Sequence, residues 1–253
     1  MLRFSANLSM LFTELPFEDR FRAAAAAGFE AVEIPSPYDG AARDIRRALL
    51  SNGLSLSQIG APPPNYTGGR PGYAGEPESE ARFQGDMRRA MRVAAELSPE
   101  IVHIAVGNAE VAEAEERLVT NLRWAAQQWP GQVFVVSPLN AREHPGCALP
   151  DYDTTARVLD KVGFTNMGLQ FDTYHAAMIT GDAVAVWTAH KALIRYVQVA
   201  DMPRRTEPGA GRIDFPSLFT AMQADGYKGW IAAEYLPTTR SSTDSLTWRP
   251  ELA

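Results

Sequence analysis

The chain repeats one unit eight times: a short apolar run, a polar or glycine-bearing loop, then a stretch whose apolar residues recur at helical spacing. The units follow one another at roughly thirty-residue intervals, the size of a strand–helix–strand crossover, and this rhythm restricts the fold most. The expected strands are Leu2–Ala6, Ala31–Ile34, Leu54–Ile59, Ile101–Val106, Val133–Val136, Met167–Phe171, Tyr196–Ala200 and Trp230–Glu234. Between them, Phe17, Phe21, Ala24 and Ala25 share a helical face that Gly28 closes, and Phe83, Met87, Ala90, Met91, Ala94 and Leu97 form another. Further helices are read around Ile45–Leu49, Leu118–Ala125, Thr154–Val162 and Val184–Leu193. The last helix opens at Asp214, an N-cap residue, with Pro216 in its first turn, and ends at Gly226. Residues 60–80 are rich in Pro, Gly and Tyr and read as a long loop, and the residues after 234 read as a polar tail.

Strands that alternate with helices pair in parallel, and the sheet either closes into a barrel or lies open and doubly wound. Eight units within 253 residues favour a single α/β domain over residues 1–253, a (β/α)8 TIM barrel. No G-x-G-x-x-G follows the first strand, so an open dinucleotide-binding sheet has no support. A net charge of −6 spread along the chain argues against nucleic acid or an anionic membrane surface as partner. No apolar run approaches the ~20 residues of a membrane span. The single Cys147 excludes an internal disulfide, and the first residues run straight into a strand with no leader-like segment. These features give the expectation of a cytoplasmic protein, with homo-oligomerisation left open.

Barrels of this kind keep their active sites where strands end and the following loops begin. Glu33, Asp172, Asp201 and Glu234 close strands two, six, seven and eight, Gln198 lies within strand seven, and His175 follows Asp172 by three residues. Carboxylates converging on one mouth repel one another unless a cation or shared protons offset the charge. An oxygen-rich set suits a hard divalent ion such as Mg2+ or Mn2+. Any one of these acids is as readily a solvated rim residue or a helix cap, but Asp172, Gln198 and Glu234 together mark a site. His103, inside strand four, and His144 read as ordinary structural histidines, and no base can be placed beside Cys147 to make it a nucleophile.

Several segments in order carry a resemblance: Met1 through Phe12, Val32-Glu33 with Pro37-Tyr38-Asp39, Asp172-Thr173-Tyr174-His175, Val197 through Asp201, Glu207 through Gly211, and Gly229-Trp230 through Glu234-Tyr235. Over nearly the whole chain the sequence resembles the hydroxypyruvate isomerases and the closely related 2-oxo-tetronate isomerases, xylose-isomerase-like barrels. The resemblance implies isomerisation of a small hydroxy-oxo acid through an enediol, hydroxypyruvate to tartronate semialdehyde, in a site holding a divalent metal. By position it implies that Glu234 is an acid/base group, that Asp172, Gln198 and Glu234 hold the metal, and that His175, Arg205 and Glu33 meet the substrate. Gly209 and Gly211 would let backbone approach the substrate.

Three positions depart from the family pattern. Ser137-Pro138-Leu139-Asn140 stands where relatives carry Glu-Pro-Leu-Asn, Gln58 through Pro62 lacks the usual Asn-containing pair, and Arg212 replaces a Glu. Serine is neither a base near neutral pH nor a strong ligand for a hard cation, so metal binding is expected to be weak, with Glu143 as a substitute ligand. One base suffices to shuttle a proton between adjacent carbons, whereas inverting one carbon needs groups on both faces. Loss of the strand-five Glu therefore damages an epimerase more than an isomerase. The alternatives are a 2-oxo-tetronate isomerase, a barrel that binds a small acid or sugar without turnover, and an endonuclease-like barrel. The last is disfavoured by the charge and by having only four histidines.

Overall fold

All eight apolar runs form strands, and they close into one parallel barrel in chain order, β1 through β8, with β8 hydrogen-bonded back to β1. The computed structural model describes residues 1–61 and 72–249. The strands are β1 Arg3–Asn7, β2 Ala31–Ile34, β3 Ser55–Ala61, β4 Ile101–Ile104, β5 Val133–Val136, β6 Met167–Asp172, β7 Ile194–Val199 and β8 Trp230–Ala233. The helices are α1 Phe17–Ala26, α2 Ala42–Ser51, α3 Glu80–Leu97, α4 Val111–Gln128, α5 Tyr152–Val162, α6 Thr173–Thr180, α7 Ala183–His190 and α8 Phe215–Ala224. Of the long loop expected over residues 60–80, positions 62–71 lie outside the described residues, Gly60 and Ala61 still belong to β3, and Glu80 opens α3.

Aspartates start the helices as their chemistry suggests. Asp151, Asp182 and Asp214 each accept a backbone N–H three residues on, from Thr154, Ala185 and Ser217. Two expectations need correction. The helix expected around Val184–Leu193 forms as α7, but α6 precedes it from Thr173, because Asp172 ends the strand and caps a helix in the same residue. The residues after β8 are no free polar tail. Trp248 packs on Phe4 of β1 and Phe219 of α8, with ring centroids 5.5 and 5.9 Å apart, and Arg249 donates to the Ala27 and Gly28 carbonyls at the end of α1. The segment fills the seam between the last helix and the first, burying apolar surface that a tail would leave wet.

Apolar packing falls into two bodies. The larger lies between strands and helices; the smaller fills the barrel interior with Ala31, Ile101, Val135, Tyr196, Trp230 and Ala232. Side chains alternate across a strand, so two residues further on the same interior face continues upward. Those next residues are Glu33, His103, Ser137, Gln198 and Glu234. The polar layer of the mouth therefore stands directly on the apolar floor. Among the described residues no helix is long and apolar enough to cross a membrane.

Candidate active site

A cavity of about 240 Å3 opens above that floor, lined by Glu33, Gln58, His103, Ser137, Gln170 and Asp172 on one side of the mouth and by His144, His175, Gln198, Arg205 and Glu234 around the rest. Asp172, Gln198 and Glu234 thus meet, as the sequence predicts, and so do Glu33, His175 and Arg205.

Arg205 organises the acids. One guanidinium nitrogen donates to Asp172 Oδ2 at 2.8 Å and to Glu234 Oε1 at 3.1 Å, and another lies 3.4 Å from His175 Nε2. Its plane lies against the Tyr174 ring, 5.3 Å from the centroid, and Tyr174 in turn donates its hydroxyl to Glu143. Arg205 sits at φ +57, a left-handed conformation that costs a non-glycine residue free energy and is often kept where side-chain aim matters. Burial works against its charge, but Asp172 and Glu234 more than offset this and raise its proton affinity further.

Asp172 spends its other oxygen on the backbone N–H groups of Tyr174 and His175, at 2.8 and 3.1 Å. The same cap that starts α6 therefore fixes the aim of its free oxygen. His175 Nδ1 accepts from the Asn140 backbone N–H at 3.2 Å, which leaves Nε2 as the nitrogen facing Asp172 Oδ2, 3.8 Å away. Burial lowers the proton affinity of His175, partly countered by Asp172. Glu234, with a side chain only 14% exposed, keeps Oε2 buried without a hydrogen-bond partner. Burial pushes its carboxyl up to about 7, against the pull of Arg205 and with the help of the Asp172 charge.

A second network runs beneath. Gln58 donates to Gln170 (2.6 Å), Gln170 to Gln198 (2.7 Å), and Gln198 to Glu33 (2.7 Å), whose oxygens also accept from Asn7 and Tyr196. Burial and the Glu234 charge drive the Glu33 carboxyl well above the ordinary range, while the bonds from Tyr196 and Gln198 pull the other way.

These residues do not fit a hard divalent cation. Gln198 turns its amide oxygen to Gln170, Asp172 and Glu234 share the Arg205 guanidinium where a cation would bridge them, and Ser137 hydrogen-bonds His103 at 2.9 Å. The ligand set expected from Asp172, Gln198 and Glu234 is brought together, but Arg205 takes one oxygen of each acid and Gln170 takes the Gln198 oxygen, leaving Glu234 Oε2. Glu143 does approach the mouth, with ligand atoms of Glu143, His144 and His175 within 4.8 Å of one another. Its oxygens, however, accept from Tyr174 and Asn140.

Two expected site features belong elsewhere. Asp201 does not face the cavity; fully buried, it accepts four backbone N–H bonds, from Gly209, Gly211, Arg212 and Ile213, at 2.8–3.0 Å. Gly211 is needed for that loop rather than for a substrate, since a Cβ there would stand 2.1 Å from the Met202 carbonyl oxygen and 2.5 Å from Asp201 Oδ1. The Arg212 side chain is exposed and outside the lining. Conversely, His103 and His144, read as structural, line the cavity. Cys147 is buried, donates to the Leu149 carbonyl and has its thiol pushed up by burial, so it stays inert.

Known proteins of similar length match this chain from end to end. Residues 21–252 match the family model described as xylose isomerase-like TIM barrel. A 2-oxo-tetronate isomerase of Cupriavidus necator is 37% identical, covering 98% of this chain and 97% of its own, and the hydroxypyruvate isomerase of Escherichia coli is 34% identical, covering 98% of each. A crystal structure described as AP endonuclease, family 2 from Brucella melitensis superposes with a TM-score of 0.93 at 33% identity, covering 98% of each chain. At 19% identity, the E. coli 3-keto-D-glucoside 4-epimerase shares the fold with a TM-score of 0.78. A conserved barrel, a full-length match and a mouth of acids around one arginine agree, and the chain belongs to the hydroxypyruvate and 2-oxo-tetronate isomerase family of xylose isomerase-like TIM barrels.

Proposed function

We propose that this protein interconverts hydroxypyruvate and tartronate semialdehyde, or the corresponding four-carbon hydroxy-oxo acids, with Glu234 as the one carbon base and no divalent metal. The observation that carries the reading is Glu234 itself: largely buried, one oxygen held by Arg205, the other unpartnered, and titrating near 7. A base with that affinity is about half ionised at neutral pH, close to the optimum for taking a proton and giving it back. The cavity of about 240 Å3 is smaller than the ~300–1,000 Å3 of drug-sized pockets and suits a three- or four-carbon acid.

Glu234 removes the proton from the hydroxyl-bearing carbon, and the electrons move onto the carbonyl oxygen. Arg205, whose charge Asp172 and Glu234 secure, donates to that oxygen as charge develops there, with His175 beside it. Glu234 then returns the proton to the neighbouring carbon on the same face. Glu33, its oxygens already engaged, orients the amide chain that forms the cavity wall rather than meeting the substrate. The net charge of −6 gives no footprint for a nucleic-acid substrate.

The test is turnover of hydroxypyruvate with a reductase coupled to tartronate semialdehyde, after exhaustive chelation. Wild-type protein should turn over and Glu234→Gln should fall by roughly 10²–10⁴. Full activity in the variant would refute the base, and a wild type that binds three- and four-carbon acids without converting them would make it a binding protein.

A further inference from the structure

We propose that the Ser137 hydroxyl, backed by the His103 imidazole, carries the proton that must pass between the two substrate oxygens. The proposal rests on the isomerase reading and adds the half of the reaction that Glu234 leaves undone. Converting a hydroxymethyl ketone into a hydroxy aldehyde moves one hydrogen between carbons and one between oxygens. As the first C–H bond breaks, a C=C bond forms and the carbonyl becomes an enediolate that needs a proton. As the second C–H bond forms, the former hydroxymethyl oxygen must lose its proton to become the aldehyde. A group that gives one proton and receives one, ending unchanged, balances the step.

The other groups of the cavity are spoken for. Arg205 is locked as a cation between Asp172 and Glu234. The amides of Gln58, Gln170 and Gln198 are joined in a chain and do not exchange protons at neutral pH. Glu33 already accepts from Asn7, Tyr196 and Gln198. His175 accepts from Asn140 through Nδ1 and turns its other nitrogen toward Asp172 and Arg205. His144 packs its ring near that of His175, 5.7 Å between centroids, while Ser137 and His103 are joined at 2.9 Å, both in the lining. A hydroxyl can give its own proton to the enediolate oxygen while taking the hydroxymethyl proton on a lone pair, ending unchanged, and the imidazole nitrogen behind it holds it in line.

Their place in the barrel fits the task. His103 is in β4 and Ser137 follows β5, adjacent strands, whereas Glu234 follows β8; in a closed ring of eight the β4 position faces β8. The carbon base and the oxygen relay stand on opposing walls of one small cavity. Burial, with His175 nearby, lowers the His103 proton affinity to about 4, so the imidazole stays neutral and orients the serine hydroxyl without taking its proton. Serine in place of a glutamate thus keeps a proton carrier without adding a fourth carboxyl to Glu33, Asp172 and Glu234 in the lining.

Deuterium exchange separates the two halves. In deuterated water, Ser137→Ala and His103→Gln, which retains a hydrogen-bonding side chain, should still wash deuterium into unconverted hydroxypyruvate at close to the wild-type rate. Product formation should fall by roughly 10²-fold, the usual worth of a positioned acid/base group, with KM little changed. The ratio of exchange to conversion rises accordingly, and Arg212→Gln, outside the lining, should leave it unchanged. Exchange and conversion falling together would show a merely structural role and overturn the relay, as would unchanged conversion in Ser137→Ala. A wild type that neither exchanges nor converts would overturn the isomerase reading itself.

Discussion

The Glu234 carboxyl titrates near 4.5 in an unfolded chain and near 7 in the fold, so ionising it at pH 8 works against the folded state. Between those two values the folded protein holds a proton that the unfolded chain has lost, so stability falls as pH rises, and it levels off above about 8. From 4.5 to about 7, at about 1.36 kcal/mol for each tenfold change in proton affinity, the loss is about 3 kcal/mol. Glu234→Gln replaces the protonated carboxyl with a neutral group of the same shape, so it should cost little at pH 5 and gain about 3 kcal/mol over wild type at pH 8. Removing the Glu234 charge also relieves Glu33, whose carboxyl it helps to raise, and this acts in the same direction. Urea unfolding at pH 5, 6, 7 and 8, with the slope m held common, reads the difference directly. The variant should be more stable than wild type at pH 8 while having lost turnover. Parallel pH profiles for the two proteins would refute the reasoning, since they would mean that Glu234 is ionised throughout or exposed.

Arg205→Met removes the cation between two carboxylates and should lower stability by about 3–5 kcal/mol at pH 8, with the deficit shrinking at lower pH as Glu234 protonates; urea midpoints across that range check it. Asp201→Asn places an amide N–H against the N–H groups of Gly209 and Gly211 and should cost about 2–4 kcal/mol in the same assay, with turnover falling only in proportion to the folded fraction. Dialysis against a strong chelator should leave wild-type turnover within about twofold and release less than stoichiometric Mg2+ or Mn2+ by elemental analysis. The kcat/KM profile should rise through a midpoint near 7 from the acid side and lose that limb in Glu234→Gln.

The strand positions were legible because each is a short apolar run between breakers, and all eight form. Helix α6 was not, since Thr173 through Ala177 are all buried and five consecutive buried residues carry no one-sided helical pattern. The site acids at the ends of β6 and β8 could be read from position, but Asp201 has the same position and a different fate. What separates it is the paired glycines eight and ten residues downstream, whose N–H groups fold back on it. His103 was missed for a physical reason: parallel barrel strands are apolar on both faces, so the pattern Ile101-Val102-His103-Ile104 does not say which residues look inward. Counting by two from the interior residue Ile101 would have placed it, once the floor was known.

The amide chain from Gln58 to Glu33 has a direction, and the direction is set at one end. Three donors converge on Glu33, and with Gln198 donating there its oxygen is left to Gln170, whose oxygen is left in turn to Gln58. Turning any one amide over would set two like atoms face to face, so each amide holds the next in its present sense. The wall of the cavity is therefore a row of dominoes braced at Glu33, and a ligand that wants the Gln198 oxygen must push against the whole row. Substitutions at Gln58, at the other end of the row from Glu33, should then change what the mouth accepts through the aim of Gln198.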